Sequence, residues 1–296
     1  MLSVLIPIYN FDVRAFVASL SKHASQLSVP CEILCLDDAS DASFREMHAG
    51  LNELAHVHYI ESVENLGRSA VRNRLEEEAR YENLLFIDCD GRVVRDDYLK
   101  AYTELGEYDV VYGGRVYPTV EPTDPELRFH WLVGKAKEEV GVEERLKAPY
   151  KSFMTNNFLV RREVFRKVKM DESVKGYGHE DTLFAMDLKR QGFTVQHIDN
   201  PLEHIGIEKF DVFIEKSANG VRNLAKLMQA GKVDDSIKLV RYYQKMNGLG
   251  LIWLITRWVK RNRVKIMKNL KGANPRLMWF DLWKVTMLSE AQRKKD

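Results

Sequence analysis

Cysteine, glycine-rich loops and long apolar runs are all scarce in this chain, and each scarcity excludes something. The three cysteines among 296 residues, Cys31, Cys35 and Cys89, are too few for a disulfide framework and lack the paired spacing of a zinc site. They sit in apolar runs (CEILCL, LLFIDCD) and make an odd count, which points to buried, reduced thiols in a reducing compartment. No uninterrupted apolar stretch reaches the roughly 18 residues of a membrane-crossing helix. The opening MLSVLIPIYNF has no basic n-region and no small-residue cleavage site, so it reads as a first strand and not as a signal peptide. No GxxxxGK[ST] occurs, and no GxGxxG follows the first strand, which excludes a P-loop and weakens a dinucleotide-binding reading.

What is present is an ordinary globular composition, 45% hydrophobic and 30% charged. The length allows one large α/β domain with an appendage, or two domains. The net charge of +2 hides an asymmetry: residues 257–296 carry twelve Lys or Arg against three acids, so the preceding 256 residues are net acidic. A basic tail on an acidic body is directed at something anionic, either membrane headgroups or nucleic acid.

Short β-rich runs alternate with helical patterns through the first part. Strands are expected at 4–9, 32–37, 57–62, 83–90 and 108–113, with helices near 13–27, 42–54, 68–80 and 96–105. Such alternation implies a mostly parallel sheet with right-handed crossovers and helices on its faces. A charged helical stretch follows at 126–146, then a strand and helix start in KSFMTNNFLVRREVF, a helix opened by GYGHED, and a strand at 193–199. Beyond Gly206 the pattern is helical, with breaks near Gly231, Gly248 and Gly272–Pro275. Ligands in open parallel sheets bind beyond the carboxyl ends of the strands, and Asn10, Asp37-Asp38 and Asp88-Cys89-Asp90 fall at those ends.

Each of these clusters admits a plain reading beside a chemical one. Asp88 and Asp90 could simply form a turn before Gly91, or could both reach a divalent cation whose other positions hold phosphate oxygens. Asp38 could cap the next helix, as Ser40 is well suited to do, or could accept hydrogen bonds from a uracil imide or a ribose hydroxyl. In Asn65-Leu66-Gly67-Arg68 and on to Arg72, a glycine-containing loop runs into a helix N-terminus suited to a phosphate. Glu180 and Asp181 complement a helix dipole, or supply a general base that takes the proton of a sugar hydroxyl; a buried helix N-terminus would keep that carboxylate ionised. His204 is most simply a hydrogen-bonded structural residue; as a third metal ligand, imidazole would favour Mn²⁺ over Mg²⁺.

Taken in order, VLIPIYN, DDAS, NLGRSAVRN and FIDCDGRV resemble the segments of glycosyltransferase family 2, inverting enzymes with the A-type nucleotide-sugar fold. The resemblance runs from about residue 2 to 206. GYGHEDTLFAMDLKRQG is similar to the acceptor and base region of galactosyl- and N-acetylgalactosaminyl-transferases. The resemblance implies an α/β sheet domain over 1–206, divided into a nucleotide-binding part (1–115) and an acceptor-binding part (116–206), with a helical extension over 207–296. It implies that Pro7, Tyr9, Asn10, Asp37, Asp38, Asn65, Gly67, Arg68, Arg72, Asp88, Cys89, Asp90, Asn156 and Asn157 surround the nucleotide-sugar. It further implies Asp90, Asp88 and His204 as ligands of Mn²⁺ or Mg²⁺, Asp181 as the base with Glu180 beside it, and Tyr177, Gly178 and His179 against the acceptor. The donor implied is a UDP-sugar, with Gal, GalNAc or GlcNAc favoured by the GYGHED segment, and the acceptor is a saccharide or a lipid-linked saccharide. A QxxRW motif of processive members is absent, since Leu254 stands three residues before Arg257-Trp258; one sugar per encounter is expected.

The segment LGLIWLITRWVKRNRVKIMKNLKG joins an apolar run, two tryptophans and basic residues. It suits a helix lying in the interface of an anionic membrane over 249–271, or simply an amphipathic helix packed on the rest of the chain. A cytoplasmic protein, peripheral on the membrane face if the first holds, is expected. Nucleic acid ranks lower because no recognition motif accompanies the charge. Competing with transfer are a catalytically inactive nucleotide-sugar-binding scaffold and a sugar nucleotidyltransferase. The latter needs a Gly-rich basic loop where Pro7-Ile8-Tyr9-Asn10-Phe11 stands.

Overall fold

The first strand, β1 (Leu2–Ile8), shows why the chain folds as it does, because it is apolar on both faces. Leu2, Val4, Ile6 and Ile8 enter one core cluster and Leu5 enters another. Neighbouring strands split in the same alternate way, as the two-residue period of a strand requires. In the computed structural model, which describes residues 1–296 apart from 175, 177 and 294–296, the elements follow in order. They are α1 (Arg14–Ser25), β2 (Cys31–Asp37), α2 (Ala42–His48), β3 (Val57–Glu61), α3 (Arg68–Glu78), β4 (Asn83–Ile87), β5 (Gly91–Val93), α4 (Tyr98–Thr103), β6 (Val110–Tyr112) and β7 (Arg115–Val116). After them come α5 (Arg128–Lys137), α6 (Val142–Leu146), β8 (Asn157–Arg161), α7 (Arg162–Val168), α8 (Glu180–Arg190), β9 (Val195–His197) and β10 (Leu202–His204). The chain ends in α9 (Phe210–Gln229), α10 (Lys238–Gly248), α11 (Ile252–Arg261), α12 (Arg263–Leu270) and α13 (Leu277–Arg293).

The main sheet runs β3-β2-β1-β4-β8-β6-β9. Its strands pair in parallel except β8, which is antiparallel to both β4 and β6. One face is covered by Phe16, Val17 and Leu20 of α1 with Tyr98, Leu99 and Tyr102 of α4. The other is covered by Val71 and Leu75 of α3, Phe165 of α7 and Phe184 of α8. This is the α/β architecture expected. β1 sits between β2 and β4, which the chain reaches on opposite sides, so a crevice opens beyond the carboxyl ends at that point. The reversed direction of β8 brings its beginning, Asn156-Asn157, to the same edge: Asn157 pairs with Ile87, and the Asp88 N–H donates to the Asn156 carbonyl at 3.0 Å.

A second sheet, β5-β10-β7, was not anticipated, and it moves His204 from a loop after the last strand to the end of β10. Pairing His204 with Gly91 across the antiparallel β5-β10 ladder sets it beside the Asp90 turn, and the Ile205 N–H donates to the Asp90 carbonyl at 2.9 Å. β4 ends at Ile87, not at residue 90, so both acids stand in the turn that joins the two sheets. The expected helix at 126–146 is two helices separated around Gly141.

The chain divides into two compact units. Met1–Pro118, Glu138–Lys175 and Glu180–Gly206 form the first. Thr119–Lys137, Gly176–His179 and Ile207–Asp296 form the second; α5, read above with the acceptor part, thus belongs with the C-terminal helices. There Phe129 of α5 packs with Phe210 and Phe213 of α9 and Phe280 of α13. The helix breaks fall where the glycines predict, with one more at Asn262, whose side chain donates to the Trp258 carbonyl at 2.9 Å and ends α11. Among the described residues no helix is long and apolar enough to cross a membrane.

Candidate active site

The carboxylates, the arginines and His204 that make up the site lie along the carboxyl edge of the main sheet and belong to the first unit. Asp38, just past β2, accepts the backbone N–H groups of Leu66 at 2.6 Å and Gly67 at 2.9 Å, while the Asn65 side chain donates to the Asp38 carbonyl at 2.9 Å. Gly67, at φ 84°, takes the left-handed conformation that glycine adopts without strain, and so starts α3 with Arg68 at its first turn. Burial pushes the Asp38 carboxyl upward against the pull of its two N–H donors. Asp37, expected beside the nucleoside, is instead wholly interior. Its carboxylate accepts the Ser40 N–H at 2.7 Å and the Tyr59 hydroxyl at 3.1 Å. Alternation along β2 turns it into the core, where it shapes the loop that carries Asp38.

Asn10 plays a similar fastening part. Its N–H donates to the Ser40 hydroxyl at 2.9 Å, and its side-chain oxygen accepts the Asp41 N–H at 2.8 Å. Pro7 is half-buried in β1, Tyr9 is exposed, and Cys89 packs against the first core cluster, where burial pushes its thiol up. Cys31 and Cys35 are likewise free and buried.

Two arginines of α3 divide the work of the expected anion site. Arg72 is almost inaccessible; it donates to Asp88 Oδ1 at 2.5 Å and to the Arg68 carbonyl at 2.8 Å. Arg115 of β7 stands 3.6 Å from the other Asp88 oxygen and binds Glu138 at 2.8 Å, whose carboxylate also accepts the Tyr117 hydroxyl at 2.5 Å. Asp88 therefore has a guanidinium group beside each of its carboxylate oxygens. Arg68 keeps part of its head exposed and pairs through Nε with Glu180 Oε1 at 2.6 Å.

Asp90 and His204 do face each other, with Nδ1 3.3 Å from Oδ1. Although burial opposes its ionisation, the His204 contact and the charges of Arg115 and Arg68 hold the Asp90 carboxyl well below the usual carboxylate range. Among the described residues no group of three or more His, Cys, Asp or Glu is gathered as a metal site, so the three-residue ligand set is not assembled. A carboxylate and an imidazole remain, and Gly206 packs closely against that carboxylate. A Cβ there would come within 2.6 Å of Asp90 Oδ2.

Asp181 behaves differently from its neighbour. Burial and the adjacent Glu180 carboxylate push it up to about 6, even though its own oxygen accepts the Thr182 N–H at 2.7 Å. The helix N-terminus was expected to keep it fully ionised; desolvation outweighs the dipole here. Glu180 shifts the opposite way: burial opposes ionisation, but Arg68 and Arg72 hold it low. Two adjacent carboxyls with separated affinities for a proton are the pattern of an acid-base site. Arg68 acts electrostatically on both Asp181 and Asp90, so the pairs share one field.

Asn157, but not Asn156, departs from its expected place; Asn156 lines a recess with Asp88, Asp90, Arg115 and His204. Asn156 accepts the Tyr112 hydroxyl at 3.2 Å. Asn157 is wholly buried, accepting the hydroxyls of Tyr98 and Tyr102 at 2.7 Å each and donating to the Gly114 and Asn200 carbonyls at 2.9 Å each. Its hydrogen-bonding capacity is spent inside the protein, so it ties three strand ends together and does not reach a sugar. Leaving several buried polar groups unsatisfied costs about 1–3 kcal/mol each. Asn157→Ala should therefore lose at least about 2 kcal/mol of stability, measured as a lower urea midpoint. In the acceptor segment Gly178 and His179 both have left-handed backbone, at φ 97° and 74°; Tyr177 lies outside the described residues. Arg115, Tyr117, Glu138 and Gly206 were missed by sequence reasoning; only the Gly-Gly-Arg step at 113–115 hinted that something approaches there.

The family model for Glycosyl transferase family 2 matches residues 3–169. No curated protein matches the chain in sequence. Similar solved structures include the mannosyltransferase PcManGT from Pyrobaculum calidifontis, in complex with GDP-Man and Mn²⁺, at 13% identity over 99% of this chain and 87% of that one, TM-score 0.60. Mannosyl-3-phosphoglycerate synthase from Rubrobacter xylanophilus is similar at 19% identity over 79% and 76%, TM-score 0.55. Glucosyl-3-phosphoglycerate synthase from Mycobacterium tuberculosis, in complex with Mn²⁺, UDP and glucosyl-3-phosphoglycerate, is similar at 16% over 79% and 81%, TM-score 0.53. At such identities the likeness is one of fold. The family match spans more than half of the chain, including β1, Asp38 and the Asp88–Asp90 turn, and on that ground the chain belongs to glycosyl transferase family 2, the inverting, nucleotide-sugar-dependent glycosyltransferases.

Proposed function

We propose that this glycosyltransferase moves Gal, GalNAc or GlcNAc from its UDP-sugar to a hydroxyl of a saccharide or lipid-linked saccharide, one sugar per encounter. The observation that carries the proton-transfer part is the pair at the start of α8, where Arg68 Nε binds Glu180 Oε1 at 2.6 Å and Asp181 beside it is raised to about 6; the choice of donor sugar rests on the GYGHED resemblance. Asp181 takes the proton of the acceptor hydroxyl as that oxygen bonds to the anomeric carbon. The bond from that carbon to the diphosphate breaks on the opposite face, so configuration inverts and UDP leaves with the electron pair. Arg68, with half-exposed charge at a helix N-terminus, meets the developing negative charge. Arg72, Asp88 and Arg115 hold the surrounding charges in place.

Asp90 and His204 would hold a divalent cation, Mn²⁺ in preference to Mg²⁺, and that ion would add positive charge at the departing diphosphate. The donor set fits: one ionised carboxylate oxygen and one imidazole nitrogen 3.3 Å away, with the carboxylate seated against Gly206, where no side chain could stand without displacing it. Gly206→Ala, whose Cβ would fall 2.6 Å from Asp90 Oδ2 and force that carboxyl to move, should weaken Mn²⁺ binding about tenfold or more and lower the melting temperature. A Mn²⁺ titration followed by calorimetry checks it.

The deciding experiment is a panel of nucleotide-sugars assayed for binding and slow hydrolysis with Mn²⁺, Mg²⁺ or chelator. Metal-dependent UDP release from one donor supports transfer. Consumption of added pyrophosphate with formation of UTP and sugar 1-phosphate identifies a nucleotidyltransferase, and binding without turnover on any acceptor identifies a scaffold.

A further inference from the structure

The second unit carries a face that its own packing leaves uncovered. α11 buries Ile252, Thr256 and Val259, spaced four and three apart, as a packed helix should. Yet its other side turns Trp253, at 54% exposure, with Leu254 and Trp258 to solvent. Leu249 and Leu251 just before the helix and Val264 in α12, 83% exposed, are likewise turned to solvent. The same side bears Arg257, Arg261, Arg263, Lys265 and Lys268, none of which has an acidic side chain within ion-pair distance among the described residues. Next to them lies a cleft of ≈ 480 Å³ lined by Lys265, Lys268, Asn269, Arg276 and Trp279. Trp279 joins the cleft to these apolar side chains, since its ring meets Trp258 edge-on at 6.1 Å and the Arg276 guanidinium lies over it at 5.3 Å.

We propose that this face docks on an anionic phospholipid bilayer, with Trp253, Leu254 and Trp258 in the interface and a headgroup phosphate in the Lys265-Lys268-Arg276 cleft. Charge complementarity selects the occupant. Unpaired cations require an anionic surface, and exposed leucines require acyl chains. A nucleic acid meets the first demand but offers nothing to Leu249, Leu251 and Leu254, which have no flat ring on which a base could stack. Tryptophan is the side chain best suited to the boundary between headgroup and hydrocarbon. The inference stands on the second unit alone and does not depend on the transfer chemistry proposed above.

The test uses the full chain with vesicles of phosphatidylcholine alone or with a quarter phosphatidylglycerol, read by co-sedimentation and by quenching of tryptophan fluorescence with brominated acyl chains. Partition should be at least tenfold stronger on the anionic vesicles and fall steeply in 0.5 M NaCl. Bromine should quench the emission. Lys265→Gln with Lys268→Gln and Arg276→Gln should lower partition roughly a hundredfold, from about fivefold per basic contact. Trp253→Ser with Trp258→Ser should remove most of the quenching with circular dichroism unchanged. Equal partition on neutral vesicles, no partition on either, or duplex DNA that outcompetes anionic vesicles overturns the proposal. So does a lipid-free dimer abolished by the tryptophan changes, which would make a second copy the occupant.

Discussion

Asp181→Asn should lower kcat about a hundredfold to ten-thousandfold, the usual worth of a positioned general base, while donor affinity stays nearly unchanged. The substitution keeps an oxygen to accept the Thr182 N–H and hydroxyl, which now lie 2.7 and 3.3 Å from Asp181 Oδ1, so the local backbone has no cause to move. The pH profile supplies a separate check. A base must be deprotonated to act, and Asp181 is raised to about 6; activity should fall with unit slope below about pH 6, and the acid limb should vanish in the asparagine variant. Glu180→Gln removes the neighbouring negative charge that contributes to that rise, so its acid limb should move to lower pH. Stability gives the opposite sign from activity. A carboxyl whose folded affinity for a proton exceeds its unfolded one contributes stability that is full below about pH 4 and lost as pH rises through about 6. The variant, neutral throughout, should therefore melt higher than the parent at pH 8 and nearly level with it at pH 4. Loss of activity together with gained stability at high pH marks a functional carboxylate; loss of both would make Asp181 a structural residue. Activity near that of the parent would remove it from the mechanism.

The large sheet was legible because its central strands, β1, β2 and β4, are apolar runs of five to seven residues with helical patterns between them, and the shorter β6 and β9 sit inside longer β-rich stretches of sequence. The small sheet was not, because β5 and β10 have three residues each and β7 two, too few for a period to show. That sheet is what unites Asp90 with His204, so their meeting was available only through resemblance. Asp37 and Asp38 look alike in sequence and part company by alternation: the last residue of β2 turns inward to Ser40 and Tyr59, and the next turns to the Leu66-Gly67 loop. Arg72 reads as a phosphate ligand from its place in a helix first turn, but Asp88, sixteen residues on, captures it. Asn157 was misread for the same reason, since its four partners come from residues 43 to 59 positions distant. Residue type and local spacing locate an edge where chemistry can occur; which polar groups there are already satisfied is decided by contacts across the fold.

That distinction yields the second large expected effect, a contrast between two aspartates one residue apart. Asp90→Ala should reduce kcat/KM about a hundredfold to a thousandfold, comparable to the loss of a principal electrostatic contact to a developing oxyanion, and should flatten the response of activity to added Mn²⁺. Asp88→Asn should lower activity too, yet keep the Mn²⁺ response with an unchanged half-saturation. The physical ground is occupancy. Both Asp88 oxygens face guanidinium groups, from Arg72 at 2.5 Å and Arg115 at 3.6 Å, so a cation approaching it would have to displace like charges. Asp90 faces an imidazole, which can itself become a ligand, and no guanidinium group stands within ion-pair distance of it among the described residues. His204→Ala should fall between the two, raising the Mn²⁺ concentration for half-maximal activity at least tenfold and narrowing the preference for Mn²⁺ over Mg²⁺, because oxygen ligands alone favour the harder ion. Calorimetric titration of Mn²⁺ into each variant separates binding from turnover. Equal metal affinity in Asp90→Ala and the parent, or an abolished metal response in Asp88→Asn, would reverse the assignment of the two carboxylates.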